Sequence, residues 1–139
     1  MLFAEALRRY VSRLPPQRSG WLAGAADPHV GRALAQLHRR PSHDWTLDEL
    51  SKSVGLSRSS LVERFSRYLG QGPMAYLADW RLELAAESLR TTSRSVLAIA
   101  GDVGYDSEAA FNPAFKRRFA DPPARYRKAY RERRDADAR

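Results

Sequence analysis

The fold is decided by the stretch Pro73-Met-Ala-Tyr-Leu-Ala-Asp-Trp-Arg-Leu-Glu-Leu-Ala-Ala-Glu-Ser-Leu89. One face of this stretch carries residues three or four positions apart, namely Met74, Leu77, Ala78, Arg81, Ala85 and Leu89. This spacing is typical of an α-helix with one side turned toward a core. Pro73 suits the first helical turn, where its missing N–H leaves no hydrogen bond unmade. The sequence therefore predicts a long helix, over about residues 73–91, in the middle of the chain.

The segments on either side of this helix repeat each other. The helix is preceded by Thr46-Leu-x-x-Leu-Ser-x-x-Val-Gly-Leu56 and followed by Ser95-Val-x-x-Ile-Ala-x-x-Val-Gly-Tyr105. The correspondence continues beyond each glycine and pairs Leu61, Phe65, Pro73 and Tyr76 with Phe111, Phe115, Pro123 and Tyr126. We therefore predict two copies of one small helical unit, joined by the long helix.

The first copy carries start and stop signals for two short helices. Thr46 and Glu49 have the capping-box spacing, which places Glu49 to reach back to the N–H of Thr46. Gly55 can adopt the left-handed conformation that ends a helix, and Ser57 can cap the helix that follows. Two short helices joined by a short turn that contains glycine form a helix-turn-helix. The first unit is therefore predicted over about residues 46–69.

The second copy predicts the same unit over about residues 95–119. Its first helix is expected from Ser95 to Val103, with a turn at Gly104. Its second helix is expected to begin at about Ser107. The two units would then present equivalent second helices.

Pro113 would lie inside the second helix of this second unit. A proline there removes one hydrogen bond and crowds the preceding turn. The chain can therefore keep one kinked helix from Ser107 or restart the helix at Asn112. Packing of Phe111 and Phe115, which lie on one face, favours the kinked helix.

The N-terminal part of the chain is predicted to be a helical appendage. Residues 1–14 carry a helical stripe that Pro15-Pro16 ends, and residues 17–26 are expected to form a loop. Asp27, with a proline behind it, can cap a further helix that ends before Pro41.

Every segment with a periodic apolar pattern is predicted to be helical, so the sequence predicts an all-α fold. We expect two helix-turn-helix subdomains joined by a long linker helix, about seven helices in total, plus the N-terminal arm. The predicted boundaries are an arm at 1–26, a domain at 27–134 whose last helix spans about 123–133, and a tail at 135–139.

The charge of the chain favours an anionic partner. Its 139 residues carry a formal net charge of +8, and the segment from Lys116 to Arg134 holds nine basic and two acidic residues. This concentration is typical of a phosphate-binding surface, although a solvated basic tail is the alternative. The chain has no apolar run long enough to span a membrane, which is about 18 residues. The absence of cysteine fits a reducing cytosol, so we expect a cytoplasmic protein.

The second helix of the first unit offers side chains suited to reading base edges. With Leu61 and Phe65 turned inward, the outward or marginal residues are Arg58, Ser59, Ser60, Val62, Glu63 and Ser66. Serine can donate or accept, glutamate accepts from cytosine N4, and valine can contact a thymine methyl. The residues that can reach phosphates are Arg58, Arg64 and Arg67, and Arg58 can alternatively reach a guanine edge.

No catalytic or metal-binding constellation is visible. His29, His38 and His43 have no ligand spacing with a carboxylate, and we interpret each as a surface or helix-end residue. We therefore expect no enzyme activity, no metal and no cofactor. Arg81 lies within the apolar stripe of the linker helix, and a buried charge requires a partner. We interpret it as a structural ion pair between the two units.

From Asp27 to Arg127, the chain resembles the DNA-binding domain of the AraC/XylS family of bacterial transcription regulators. The matching residues span both units and the linker helix: Leu47, Leu50, Val54-Gly55-Leu56-Ser57, Leu61, Phe65, Gly70, Pro73, Tyr76-Leu77, Arg81, Ala85, Leu89, Ile99-Ala100, Val103-Gly104-Tyr105, Phe111, Phe115-Lys116-Arg117, Pro123 and Tyr126-Arg127.

The resemblance implies that the two units enter successive major grooves on one side of double-stranded DNA. It also implies activation of transcription through contact with RNA polymerase. By family position, the base-facing residues of the first unit are Ser59, Ser60, Val62 and Glu63. Those of the second unit are Glu108, Ala109, Ala110 and Asn112, with Pro113. The remaining expected DNA contacts are Lys116, Arg117 and Arg125.

Several positions depart from the family pattern. Members commonly carry arginine where Pro113 stands, a basic or polar residue where Glu63 stands, and glycine where Ala120 stands. Most members also have a ligand-sensing domain ahead of the DNA-binding part, whereas residues 1–26 resemble only the linker that follows a cupin-like sensor in one subgroup. We interpret the chain as a truncated product, an expressed fragment or a short stand-alone member.

The sequence thus predicts a sequence-specific, double-stranded-DNA-binding transcription regulator that acts as an activator. The alternative is a helical protein-interaction module, which would pair with a regulator, or form a dimer, through residues 1–14 without specific DNA binding. Sequence-dependent affinity for DNA distinguishes the two hypotheses.

Overall fold

The computed structural model describes residues 21–139, and every regular element in this range is an α-helix. The helices are α1 (Trp21–Ala26), α2 (Pro28–Arg39), α3 (Leu47–Val54), α4 (Arg58–Leu69), α5 (Pro73–Thr91), α6 (Val96–Asp102), α7 (Glu108–Phe119) and α8 (Pro123–Asp137). The all-α prediction is confirmed. The predicted helix at residues 1–14 lies outside the described residues.

The predicted loop at residues 17–26 is wrong where it can be compared, because residues 21–26 form α1. This short helix packs closely on α4. A Cβ atom built on Gly24 would lie 3.0 Å from the Cβ of Tyr68 and 3.1 Å from Cδ2 of Leu69. Contact with another element, rather than a local signal, therefore supports a helix of six residues.

The helix starts and stops follow the predicted capping chemistry. Side-chain oxygens of Asp27, Thr46, Ser57, Ser95 and Ser107 accept hydrogen bonds from backbone N–H groups at the starts of α2, α3, α4, α6 and α7. Each bond satisfies a donor that the first helical turn leaves free. The two predicted helix-turn-helix units are therefore present, as α3–α4 and α6–α7.

One detail of the capping prediction is wrong. Glu49 does not return to the N–H of Thr46. Its carboxylate oxygens lie 2.8 and 2.9 Å from Nε2 of His43 instead. An imidazole nitrogen within reach competes with the backbone N–H for the same acceptor, so only the Thr46 half of the capping box forms.

The linker helix α5 contributes to two hydrophobic cores. Its N-terminal half supplies Tyr76, Leu77 and Trp80 to the first core, which includes α2, α3 and α4. Its C-terminal half supplies residues to the second core, with α6 and α7. The single predicted stripe is therefore incomplete: Ala78 is exposed, whereas Trp80 is fully buried. A helix packed between two units buries more than one face.

The linker helix also buries charged side chains. Arg90 donates to Oε2 of Glu87 at 2.6 Å and to the hydroxyl of Tyr126 on α8. Glu83 is fully buried and accepts from Arg118 on α7 at 3.0 Å. The Arg118–Glu83 ion pair joins α7 to α5, and the hydrogen bond from Arg90 to Tyr126 joins α8 to α5. Buried polar contacts therefore hold the second unit as well as its apolar core.

Helix α7 continues through Pro113 from Glu108 to Phe119. The alternative of a helix restarted at Asn112 is therefore wrong. Phe111 and Phe115 are fully buried, with ring centroids 5.7 Å apart. Burial of two phenylalanine side chains stabilises the fold by a few kcal/mol, which offsets the roughly 3 kcal/mol that proline costs inside a helix.

The last helix is longer than predicted. It continues to Asp137, into the segment expected to form a tail. In the part of the chain that the structure describes, no helix combines the length and the apolar character needed to cross a membrane.

Ala120 ends α7 in the left-handed conformation, with φ of 72°. We expect Ala120→Gly to raise the free energy of unfolding by about 0.5–1 kcal/mol, because glycine adopts this conformation without the steric conflict of a Cβ atom. Urea denaturation would measure the change. Ala35→Gly, at an exposed position inside α2, is the control and should destabilise by about 1 kcal/mol. Equal losses at both positions would contradict the prediction.

Candidate nucleic-acid interface

Helix α4 turns a polar face toward solvent. Leu61, Phe65 and Leu69, spaced four residues apart, are buried and fix the orientation of the helix. This orientation determines the exposure of the residues predicted to contact DNA. The exposed ones are Arg58, Ser59, Val62, Glu63 and Arg67, and the partly exposed ones are Ser60 and Arg64. The structure therefore leaves all of these predicted residues exposed or partly exposed on α4.

Two of the arginines on α4 already have acidic neighbours. Arg67 donates to Glu63 at 2.8 Å, one helical turn away. Nη1 of Arg64 lies 3.8 Å from Oδ2 of Asp27, the residue that caps α2. The backbone N–H of Val30 lowers the pKa of the Asp27 carboxyl, against partial burial, which raises it. Asp27 is thus an anionic partner that draws Arg64 toward the protein.

The outward face of α7 is less polar. Glu108, Ala109, Ala110, Pro113, Lys116 and Arg117 are exposed, as predicted for residues that face DNA. Asn112 differs: it is only partly exposed, and its Oδ1 atom is buried without a hydrogen-bond partner. The second unit therefore offers few directional hydrogen-bonding groups to base edges.

The basic segment from Lys116 to Arg134 is divided between structural and exposed roles. Arg118 lies 3.0 Å from Glu83 and 3.3 Å from Asp79. Arg127 and Arg131 donate to the carbonyl oxygens of Leu89 and Thr92, at 3.0 and 3.2 Å. The exposed basic residues are Lys116, Arg117, Arg125, Lys128, Arg133 and Arg134. Three of the nine basic residues therefore hold α7 and α8 against the linker helix, and the other six remain exposed to a phosphate-bearing partner.

Arg125 is the DNA contact predicted on α8. Its side chain is 78% exposed and lies 3.6 Å from Asp121, one turn earlier. An ion pair at this exposure contributes little to stability. Arg125 is therefore available to an anionic partner.

His38 lies in the last turn of α2, as the helix-end interpretation predicts. Its Nε2 lies 2.6 Å from the hydroxyl of Tyr76, and burial lowers the pKa of His38 to about 4. His38 is therefore partly buried in the contact between α2 and α5. Nδ1 of His29 lies 2.7 Å from the carbonyl oxygen of Val54. Among the described residues, no group of three or more histidine or acidic side chains could hold a metal ion.

Arg81 has a different partner from the one predicted. It donates from Nε to the carbonyl oxygen of Pro41 at 2.7 Å and from Nη2 to that of His43 at 2.8 Å. Its partners are therefore backbone carbonyls and not a carboxylate. Burial lowers the pKa of Arg81, although nearby Tyr105 and Asp44 oppose that effect.

The sequence reasoning missed the acidic residues of the linker helix. Asp79, Glu83 and Glu87 lie four residues apart, a spacing that places them on one helical face. Two of them are buried. The signal was therefore present, but it did not stand out beside the apolar pattern.

Comparisons with known proteins agree with this architecture. A family model described as a helix-turn-helix domain matches residues 50–129. A protein of Streptomyces antibioticus, named as an AraC-like transcription regulator, is 48% identical over 92% of this chain and 42% of its own length. The HTH-type transcriptional regulator AlkR of Acinetobacter baylyi is 38% identical, over 91% of this chain and 41% of its length. The chain thus spans about two fifths of the curated relatives it matches.

Solved structures show the same fold. The C-terminal domain of AraT, a response regulator from Geobacillus stearothermophilus, has a TM-score of 0.71 and 32% identity, over 74% of this chain and 86% of that one. The DNA-binding domain of AdpA, a global transcriptional factor solved in complex with a target DNA, has a TM-score of 0.74 and 30% identity, over 78% of this chain and 97% of that one. The chain belongs to the AraC-type family of helix-turn-helix transcription regulators.

Proposed function

We propose that this chain binds double-stranded DNA with sequence preference and thereby regulates transcription. The observation that carries the proposal is the presence of two helix-turn-helix units on one linker helix, each with an exposed face on its second helix. A single unit of this kind occurs in proteins of many functions. Two units held by a shared helix fit two neighbouring recognition sites.

The proposed mechanism places α4 and α7 in successive major grooves. The second helix of a helix-turn-helix reads base edges there, while the first helix crosses the sugar–phosphate backbone. Successive major grooves on one side of DNA lie about 34–36 Å apart, one helical turn of 10–10.5 base pairs. The target is therefore expected to contain two short half-sites separated by about one turn.

The first unit is proposed to supply most of the base discrimination. Ser59, Ser60 and Glu63 offer hydroxyl and carboxylate groups, whereas Ala109 and Pro113 on α7 form no side-chain hydrogen bonds. Because Glu63 also lies 2.8 Å from Arg67, a cytosine that donates to Glu63 would compete with this exposed ion pair. The competition is weak, so Glu63 remains a candidate reader.

We expect the triple variant Ser59→Ala, Ser60→Ala, Glu63→Ala to lose selectivity at one half-site only. Each lost contact to a base removes about 1–3 kcal/mol of discrimination. The ratio of affinities for duplexes with an intact and a scrambled half-site should therefore fall roughly tenfold or more. Competition binding with duplexes scrambled in one half-site would measure it.

The matched control is Glu108→Ala, which removes an exposed carboxylate from the first turn of α7. It should leave discrimination at the first half-site unchanged. If the triple variant and the control have the same selectivity as the parent chain, the reading face has been assigned to the wrong residues.

We further propose that the regulator activates transcription through contact with RNA polymerase, and that residues 1–14 support a dimer. The family resemblance supports the first proposal, and the apolar helical stripe of residues 1–14 supports the second. A DNA regulator of this kind would act at the bacterial nucleoid. Transcription from a promoter carrying the selected target, with and without the protein, would distinguish activation from repression.

A further inference from the structure

The two helix-turn-helix units meet at a junction around Arg81. From α5, this side chain donates to the carbonyl oxygens of Pro41 and His43, in the segment that leads into α3 of the first unit. The turn of the second unit lies against the same groups. A Cβ atom built on Gly104 would lie 3.1 Å from Cζ of Arg81 and 3.2 Å from Cα of Ser42. The guanidinium therefore lies partly buried between the two units.

The position of Arg81 along α5 fits a role between units. The preceding residue, Trp80, belongs to the first hydrophobic core, and the following residue, Leu82, belongs to the second. Arg81 thus stands where the linker helix passes from one core to the other. Its two bonds come from Nε and Nη2 of one planar group, which fixes the plane of the guanidinium as well as its position.

The internal repeat provides a comparison for Gly104. Gly55 occupies the equivalent turn of the first unit, and both glycines have positive φ angles, of 75° and 95°. A Cβ atom on Gly55 would meet nothing within 4 Å, whereas one on Gly104 would meet both Arg81 and Ser42. Backbone conformation therefore accounts for glycine in both turns. Close approach of the units is an additional requirement at Gly104 alone.

We infer that Arg81 and Gly104 form a brace that sets the relative orientation of α4 and α7, and so determines which half-site spacing the protein accepts. The inference rests on the proposed DNA binding. One additional base pair between half-sites displaces one of them by about 3.4 Å and rotates it by about 34°. Two units joined only by a helix could adjust to part of that change by bending the helix. Units that are also fixed at the junction cannot.

The test compares duplexes that differ only in spacer length. The full chain first selects its preferred duplex from a random pool, and that duplex is then lengthened or shortened by one base pair between the half-sites. We expect the parent chain to lose tenfold or more in affinity for either altered spacer. Arg81→Met removes both hydrogen bonds but keeps a side chain of similar length, and should reduce that loss to a few-fold. Arg81→Lys, which keeps the charge, should give an intermediate loss.

A second pair of variants tests the brace without changing Arg81. Gly55→Ala and Gly104→Ala both place alanine at a positive φ angle, but only Gly104→Ala pushes against the guanidinium and Ser42. Gly104→Ala should alter the spacer preference, and Gly55→Ala should retain that of the parent. This pair decides the question if Arg81→Met does not fold.

The outcomes distinguish failure of the proposed function from failure of the brace inference. If the parent chain selects no common sequence, the proposed function fails. The parent chain could instead be selective while both sets of variants retain its spacer preference. That is, the Arg81 variants would match the parent chain, and Gly104→Ala would match Gly55→Ala. This result would overturn the brace inference alone.

Discussion

Glu83→Ala is expected to lower the free energy of unfolding by about 3 kcal/mol, the low end of the range for breaking a buried ion pair. Glu83 is fully buried at the middle of α5, and its Oε1 lies 3.0 Å from Nη2 of Arg118, near the end of α7. The substitution removes the carboxylate, leaves a cavity and deprives a largely buried guanidinium of its closest acid. Asp79, 3.3 Å from Nη1 of Arg118, compensates for part of the loss.

Thermal unfolding, followed by circular dichroism, would detect the change as a decrease in Tm of roughly 10 °C. The matched control is Asp102→Ala, which breaks an ion pair of similar length, 2.8 Å to Arg94, whose side chains are about half exposed. Exposed pairs contribute about 0–1 kcal/mol. If Glu83→Ala costs no more than Asp102→Ala, the buried pair does not hold α7 on the linker helix.

Affinity for duplex DNA is expected to fall roughly 250- to 1,000-fold when monovalent salt rises from 50 to 200 mM. The reason is the release of counterions from the phosphates that basic residues neutralise. Each contact contributes about −0.9 to the slope of log K against log salt, so about five contacts give a slope near −4 to −5. Fluorescence anisotropy at several salt concentrations would measure the slope. A slope near zero would contradict the electrostatic part of the account.

A pair of lysine variants identifies where these contacts lie. Lys116→Ala removes an exposed charge from the outward side of α7, and should make the slope less steep by about 0.9. Lys52→Ala removes an equal charge from α3, where the ammonium lies 3.0 Å from Asp48. It should leave the slope near that of the parent chain. Equal effects at both positions would indicate a diffuse attraction and no defined contact at α7.

Local signals made most of the fold predictable from the sequence. The repeat around the linker helix gives the unit count, and Thr46, Ser57, Ser95 and Ser107 mark helix starts to the residue. Capping depends on residues three positions apart, so it can be read without knowledge of the fold. Helix α1 has no such signal because its support comes from α4, which is distant in sequence.

Predictions about several charged residues were incomplete because the partners of these residues are distant in sequence. The position of Arg81 in an apolar stripe indicates that it needs partners, but backbone carbonyls satisfy a guanidinium as well as a carboxylate does. Likewise, composition counts Arg118 with the basic cluster, although the fold places it beside Glu83. His38 is partly buried and contacts Tyr76, which lies on another helix. A list of charges does not distinguish structural from exposed residues.

The faces predicted to read DNA could be identified from the sequence because they depend on a local pattern and not on tertiary contacts. Leu61 and Phe65 on α4, and Phe111 and Phe115 on α7, are inward residues at helical spacing, so the remaining faces must point outward. Which of those outward residues contact bases stays a prediction. The partly buried amide of Asn112 shows that spacing alone does not give the availability of each side chain.

Selection of duplexes from a random pool by the full chain tests the central claim most directly. The account predicts that the bound duplexes share two short half-sites about one helical turn apart, with stronger base preference at one of them. Recovered duplexes with no common sequence would contradict sequence-specific binding, whatever the salt dependence, and would favour a helical module that acts through protein contacts.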